Sequence, residues 1–216
     1  SGFDLNRDLY FTFDLENNAI RRLYFAKGNA VEIVEDSAPG FTDFIKKLFA
    51  CDARKFSYNT KYLHRLAAKL GINCKNVCGD LMLSAYLLRP SDSNYDIDHL
   101  CLEYGIAFPE CDQAEISRTA LSALVLENLF EKTDALLKEA GQLSLLHDIE
   151  LPLARVLAKM EVAGFAVDKK GIEDFGSRLG SRIDELVGEI YEMAGREFNI
   201  NSPKQLGTVL FEELHI

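Results

Sequence analysis

Two carboxylates spaced two residues apart are the first side chains of this chain that could perform chemistry. Asp14 and Glu16 stand at the end of residues 9–13, an aromatic and β-branched stretch that predicts a β-strand. Because side chains at positions i and i+2 of a strand point to the same side, both carboxylates could face one divalent cation. Acidic residues at a strand end are also commonly just solvated. The spacing alone leaves a metal site and a hydrated strand end both open.

A second pattern that could bind a ligand lies near the end of the chain. Ser202 followed by Pro203 and Gln205 forms a capping box, which predicts a helix that begins at Pro203. The free N–H groups of a helix start suit a phosphate, and Lys204 adds positive charge there. Arg178 and Arg182 are four residues apart and share a helix face, a pattern equally typical of a solvated surface.

The five cysteines do not indicate a metal centre or a disulfide framework. Cys74, Cys78, Cys101 and Cys111 could form a zinc site, but their spacing fits no common paired-ligand pattern. We therefore expect reduced thiols that are mostly buried, and a cytoplasmic protein.

Charge and hydropathy exclude two further classes. The 216 residues include 24 Lys and Arg against 34 Asp and Glu, a net charge of −10. This charge argues against a stand-alone, non-specific nucleic-acid coat protein, because phosphate neutralisation dominates that binding, and any nucleic-acid contact must be local. No apolar run reaches the roughly 18 residues that a membrane span needs, so no membrane partner is expected.

The order of predicted elements indicates an α/β fold with a small mixed sheet flanked by helices. Strands are predicted at 9–13, 22–26, 31–34 and 55–58, and helices at 41–49, 60–70, 81–88, 98–102 and 115–137. Gly28 and Asn29 suit a tight antiparallel hairpin between the second and third strands.

The pattern changes near residue 150, after which no strand is predicted. One helix ends at Gly164, and Asp168 caps a second helix of about 25 residues. The second helix has a narrow apolar seam that predicts one partner helix rather than a globular core. The seam, called the helical seam below, consists of Ile172, Phe175, Leu179, Ile183, Leu186, Ile190 and Met193.

Several motifs resemble bacterial DNA polymerase I of family A. Three stretches resemble the start of the polymerase thumb in that family: Leu151-Pro152-Leu153, Met160–Asp168 and Phe198–Leu206. Four more stretches resemble motifs of the family's 3′–5′ proofreading exonuclease domain: Phe13–Glu16, Asn59–Tyr62, Asp80–Leu83 and Tyr95–Leu100. The resemblance implies a ribonuclease-H-like domain over residues 1–150 and the N-terminal part of a thumb, truncated, over residues 151–216.

The resemblance also implies a site of the four-carboxylate (DEDD) class, in which two divalent metals activate a water. Asp14 and Glu16 match the first motif. Leu63 stands at the aspartate position of the second motif, and Thr119 and Ala123 stand at the tyrosine and aspartate positions of the third. Neither Leu nor Ala offers an oxygen ligand for Mg²⁺. We therefore expect a vestigial exonuclease domain that binds no metal, has no catalytic residues and serves as a structural platform.

For the whole chain, the resemblance implies a fragment of a template-directed DNA polymerase that needs Mg²⁺, acts in replication and repair, and works in the bacterial cytoplasm. Palm and fingers domains would follow, so the fragment alone should neither polymerise nor degrade DNA and should bind no cofactor. Its thumb segment would contact the backbone of primer–template DNA without reading sequence. The contacting residues would be Asn199, Asn201, Ser202 and Lys204.

Two other functions stay open. An active DEDD-type exonuclease could use rearranged metal ligands, Asp14 and Glu16 with Asp80 or Glu127, although Asp80 has the sequence position of a helix cap. A protein-interaction module could bind a partner through the helical seam.

Overall fold

The computed structural model describes residues 7–17, 19–110 and 117–216. Cys111, one of the cysteines considered for zinc, lies outside the described residues. The chain divides into two compact units, one ending at Gly164 and one running from Phe165 to Ile216.

The first unit is built on a five-stranded mixed sheet with the order β3-β2-β1-β4-β5. The strands are β1 (Leu9–Glu16), β2 (Ala19–Lys27), β3 (Ala30–Glu35), β4 (Lys55–Ser57) and β5 (Val77–Asp80). β1, β2 and β3 pair antiparallel, whereas β4 runs parallel to both β1 and β5. The predicted fold class and the predicted hairpin are confirmed, and Gly28 has the positive φ of 61° that the turn needs.

Helices cover both faces of this sheet. They are α1 (Phe41–Ala50), α2 (Lys61–Lys69), α3 (Leu81–Leu88), α4 (Ile97–Tyr104), α5 (Arg118–Glu139), α6 (Leu143–Leu145) and α7 (Leu151–Ala163). Alternate residues of the strands face opposite sides. Phe11 of β1 therefore packs with α1 and α2, while Phe56 of β4 packs with α3, α4 and α5.

Strand β5 was not predicted from the sequence, because Gly79 weakens its strand propensity. In the fold, a Cβ at Gly79 would lie 2.6 Å from Phe56 Cδ1 and 2.7 Å from Phe130 Cε1. The absence of a side chain therefore lets α5 and β4 approach this strand closely.

A π-helical turn (Leu146–Glu150) joins α6 to α7 and was also not predicted. Pro152 at the start of α7 lacks an N–H and would clash with a carbonyl one turn earlier, which explains the local widening. α7 packs on α2, and Glu161 forms ion pairs with Lys61 (2.8 Å) and Arg65 (3.4 Å). The first unit therefore includes α7, whereas the sequence pattern placed the boundary at residue 150.

The second unit contains α8 (Lys169–Ala194), α9 (Pro203–Gly207) and a π-helical turn (Thr208–Glu213). Asp168 caps α8 as predicted, its carboxylate accepting the N–H of Gly171 at 3.0 Å. Six side chains of the helical seam are each at least 40% exposed. Phe198 and Val209 are the buried residues of this unit. In the described part of the chain, no helix combines the length and apolarity needed to cross a membrane.

Candidate functional site

A cleft of about 460 Å³ lies at the C-terminal end of β1 and is called the Asp14 cleft below. In open α/β sheets, the carboxyl ends of the strands are where ligands usually bind. β1, the turn between β4 and α2, and the starts of α4 and α5 form its walls. The polar residues that border it include Asp14, Asn59, Tyr62, Asp96, Asp98 and Thr119.

The carboxylate of Asp14 is bound by a residue that sequence analysis missed. Tyr24 of β2 donates its hydroxyl to Asp14 Oδ2 at 2.5 Å, and Tyr24 is only 2% exposed. Burial, with the hydrogen bond to Asp14, raises the pKa of the Tyr24 phenol. The ring packs against Ala120 and Ala123 of α5. One oxygen of Asp14 therefore already has a strong neutral donor.

Glu16 borders a neighbouring groove, which Asp14 also borders, but not the Asp14 cleft. Arg21 donates to Glu16 at 3.0 Å and to Asp36 at 2.5 Å. The pairing of β1 with β2 is irregular at this point: Asp14 pairs with Arg22, and the next pair is Leu15 with Ile20. Arg21 lies between these two pairs. Glu16 is thus part of a surface ion-pair network.

The three family positions that lack the expected side chains differ in their surroundings. Leu63 is fully buried and belongs to the core that α1 and α2 form with the sheet. Ala123 is 1% exposed and contacts Tyr24. Thr119 does border the Asp14 cleft, and its carbonyl accepts the hydroxyl of Thr12 at 2.6 Å. The structure therefore brings Thr119 close to Asp14 and packs Leu63 and Ala123 into cores.

Asp80 caps α3, as the sequence predicted, and also fixes the turn before α2. Its carboxylate accepts the N–H groups of Met82 (3.1 Å) and Leu83 (3.3 Å), and those of Asn59 (3.0 Å) and Thr60 (2.6 Å). Asp80 is 1% exposed, and this burial raises its pKa although the hydrogen bonds oppose the shift. Asn59 holds a left-handed φ of 54° at this turn. Asp80 therefore positions one wall of the cleft without bordering it.

Two carboxylates that sequence analysis did not propose as ligands also border the cleft. Asp96 and Asp98 stand at the start of α4, and Asp98 forms an ion pair with Arg118 of α5. The sequence offered a signal, because the run Tyr95–Leu100 was a landmark of the resemblance. Glu127, the proposed substitute ligand, borders a different depression with Asp8 at the N-terminal end of β1.

Among the described residues, one group has three potential metal-ligating atoms within 4.8 Å of one another. It consists of Asp92, His99 and Glu103, outside the Asp14 cleft. Glu103 forms an ion pair with Arg89, and Asp92 accepts the N–H of Ser93 at 2.7 Å. These contacts explain the positions of the Glu103 and Asp92 carboxylates without a bound ion.

The predicted DNA-contacting segment forms a capped helix start in the second unit. Ser202 accepts the N–H of Gln205 at 3.4 Å, which confirms the cap. Gln205 reaches back to the N–H of Asn199 (2.9 Å) rather than to Ser202, because the Ser202 N–H already donates to the Asn199 carbonyl. Asn199, Asn201 and Lys204 are exposed, and the Asn199 side chain accepts the Asn201 N–H. The backbone of this segment is thus held by its own side chains.

Arg182 on α8 forms ion pairs with Glu185 (2.9 Å) and Glu189 (3.7 Å), which favours the solvated-surface interpretation of that residue. No such pair involves Arg178 in the described part of the chain.

Two family descriptions match the chain. Residues 10–115 match the DNA polymerase I ribonuclease H-like domain, and residues 169–216 match DNA polymerase family A. The DNA polymerase I of Lactococcus lactis subsp. cremoris strain MG1363 is 35% identical over 229 aligned residues, which cover 97% of this chain. The chain belongs to the bacterial DNA polymerase I family.

Further similarities agree with this assignment. DNA polymerase I of Bacillus subtilis strain 168 is 34% identical over 67% of the chain and 18% of its own length. The solved POL domain of Pol1 from M. smegmatis, in complex with DNA primer-template and dNTP, superimposes with a TM-score of 0.73 at 28% identity. That match covers 97% of this chain and 38% of the M. smegmatis chain. The chain spans about a quarter of the length of the Lactococcus DNA polymerase I that it matches.

Proposed function

We propose that this chain is part of a template-directed DNA polymerase of the bacterial cytoplasm, in which the exonuclease-like domain is catalytically inactive and structural. The parent enzyme would require Mg²⁺ at its polymerase site, outside this chain. The observation that supports an inactive domain most directly is the hydrogen bond from Tyr24 to Asp14. The buried phenol occupies one oxygen of that carboxylate.

The donor set of the Asp14 cleft does not fit two divalent cations. Such ions need several fixed carboxylate oxygens, and Mg²⁺ demands near-octahedral geometry. One carboxylate oxygen of Asp14 accepts the hydrogen bond from Tyr24. Glu16 forms an ion pair with Arg21, and Leu63 is a buried apolar residue.

An exonuclease assay on the full chain tests the inactive domain. Single-stranded DNA labelled at its 3′ end is incubated with Mg²⁺ or Mn²⁺, and released mononucleotide is measured. We expect no release above the level of the Asp14→Ala variant. Turnover that Asp14→Ala abolishes would contradict the proposal.

For the second unit, we propose that Asn199, Asn201, Ser202 and Lys204 contact the phosphate backbone of primer–template DNA. The exposure of the segment and its capped helix start support this role. Lys204→Gln should weaken duplex DNA binding and lower the slope of log affinity against log salt by about 1. Lys46→Gln, which removes another exposed lysine, on α1, is the matched control. An equal loss in both variants would contradict a local contact.

One observation favours the alternative of an active nuclease with rearranged ligands. Three carboxylates, Asp14, Asp96 and Asp98, border the same cleft. Their oxygens do not form a group within 4.8 Å among the described residues, and Asp98 is paired with Arg118. Calorimetric titration with Mn²⁺ separates the two functions, because tight binding of two ions per chain is expected only for the nuclease.

A further inference from the structure

A second cavity of about 730 Å³ lies at the opposite end of the sheet from the Asp14 cleft and is called the basic cavity below. β1 and β4 run parallel, and the cavity is bordered by Tyr10 and Phe56, which pair across them. Asp14 lies further toward the C-terminal end of β1. The basic cavity is therefore a separate site within the first unit.

Two cations of α7 form one wall of this cavity. Arg155 and Lys159 lie four residues apart on α7, so they share a helix face, and both are exposed. Neither side chain has an ion pair or hydrogen bond within the described part of the chain. The neighbouring cations Lys61 and Arg65 are both paired with Glu161.

A buried histidine of α2 and two aromatic residues of the sheet also border the cavity. His64 of α2 is 6% exposed, and its burial together with the charges of Arg155 and Lys159 lowers its pKa to about 4. A neutral imidazole there can donate a hydrogen bond without adding charge. The rings of Tyr10 and Phe56 stack at 4.8 Å between centroids and form an apolar floor.

The wall formed by α5 differs in charge. Glu131 and Asp134 border the cavity there, and burial raises the pKa of Asp134. The cavity thus combines a basic wall, an apolar aromatic floor and a wall of hydrogen-bond acceptors. A ligand that matches all three has an anionic group, a flat ring and N–H donors on the edge of that ring, such as an exocyclic amino group.

We propose that the basic cavity binds a nucleoside monophosphate, with the phosphate at Arg155 and Lys159 and the base toward Tyr10 and the carboxylates of α5. Arg and Lys are the usual partners of phosphate oxygens. The volume of the cavity falls in the range of about 300–1,000 Å³ that is typical of small-molecule sites.

Calorimetric titration of the full chain with deoxyadenosine monophosphate at low salt tests the proposal. We expect one site per chain, and a loss of about 100-fold in affinity in Arg155→Gln/Lys159→Gln, since each charged contact contributes about tenfold. Both positions are exposed helix positions, so the variant should fold, which circular dichroism verifies.

The matched control is Arg178→Gln/Arg182→Gln, which removes two exposed cations at the same spacing on α8. No binding by the unmodified chain, or an equal loss in both double variants, would overturn the proposal. Inorganic phosphate should bind at least tenfold more weakly than the nucleotide, because it leaves the floor and the α5 wall unused. If inorganic phosphate and deoxyadenosine monophosphate bind with equal affinity, the proposed contacts of the base are refuted.

A 5′-phosphorylated oligonucleotide is the third ligand to titrate. We expect it to bind no more tightly than the mononucleotide, because the cavity accommodates one small molecule. A much tighter oligonucleotide complex that Arg155→Gln/Lys159→Gln abolishes would overturn the proposal in favour of a nucleic-acid contact.

Discussion

Asp80 and Thr60, twenty residues apart, are joined by two hydrogen bonds, from the Thr60 N–H at 2.6 Å and from its hydroxyl at 2.8 Å, to the same carboxylate oxygen. This contact ties the start of α2 to the start of α3. It is the reason that Asn59 borders the Asp14 cleft with a fixed backbone.

Replacement of this carboxylate should destabilise the first unit. Asp80→Asn places an amide among backbone N–H groups, and we expect the free energy of unfolding to fall by about 2–3 kcal/mol from the lost cap and unpaired donors. Urea denaturation measures the change. Asp43→Asn, in the exposed first turn of α1, should change it by less than about 0.5 kcal/mol. Similar effects in the two variants would contradict the role of Asp80.

A buried histidine should make stability depend on pH. His64 has a pKa of about 4 in the folded chain, below the ordinary value of about 6.5, because burial disfavours its charged form. The unfolded chain therefore binds a proton first as the pH falls. Stability is lost progressively between about pH 6.5 and pH 4, by about 2 kcal/mol from pH 7 to pH 5.

His64→Gln should remove this part of the pH dependence, measured as the difference between urea denaturation curves at pH 7 and pH 5. His215→Gln, at an exposed position near the C-terminus, serves as control. If both variants lose stability between pH 7 and pH 5 as the unmodified chain does, His64 is not the titrating group.

Two glycine substitutions should change stability in opposite directions. Gly79→Ala would force a methyl group against Phe56 and Phe130, and overpacking of this kind costs about 1–3 kcal/mol. Gly180 lies in α8 with open space around it, so Gly180→Ala should stabilise that helix by about 1 kcal/mol. Thermal unfolding followed by circular dichroism compares the two. A stabilising Gly79→Ala would show that β4 and α5 are not packed as described.

A fully buried lysine should stabilise the first unit. Lys55 donates its ammonium group to the carbonyls of Cys51 (3.0 Å), Ala53 (2.9 Å) and Lys75 (2.9 Å). Lys55→Met leaves these acceptors without a donor, and we expect a loss of about 3 kcal/mol in urea denaturation. The same change at exposed Lys46 should have little effect. An equally stable Lys55→Met variant would disprove the structural role of the ammonium group.

Removal of the Tyr24 hydroxyl should free Asp14. Tyr24→Phe keeps the ring against Ala123 and should cost about 1 kcal/mol of stability from the lost hydrogen bond. Calorimetry with Mn²⁺ should detect tighter, though single-ion, binding in this variant than in the unmodified chain. Tyr24→Phe/Asp14→Ala is the control, and unchanged ion binding in Tyr24→Phe would argue against Tyr24 as the competing partner.

Local patterns in the sequence were sufficient for most elements. The hairpin turn at Gly28 and the caps Asp80, Asp168 and Ser202 depend on neighbours within a few residues, so their structure follows from local sequence. β5 escaped prediction, because packing around Gly79 rather than local propensity stabilises it. The π-helical turn after α6 also escaped prediction, although Pro152 explains it locally.

The sequence by itself determined the family motifs, most of the helices and strands, and the absence of oxygen donors at Leu63 and Ala123, because each of these depends on residue type and spacing. Only the tertiary structure decided that Tyr24 binds Asp14, that α7 belongs to the first unit, and that Arg155 and Lys159 border a cavity. The physical reason is that these relationships join residues distant in the chain. Their geometry depends on how helices pack on the sheet, which no local pattern specifies.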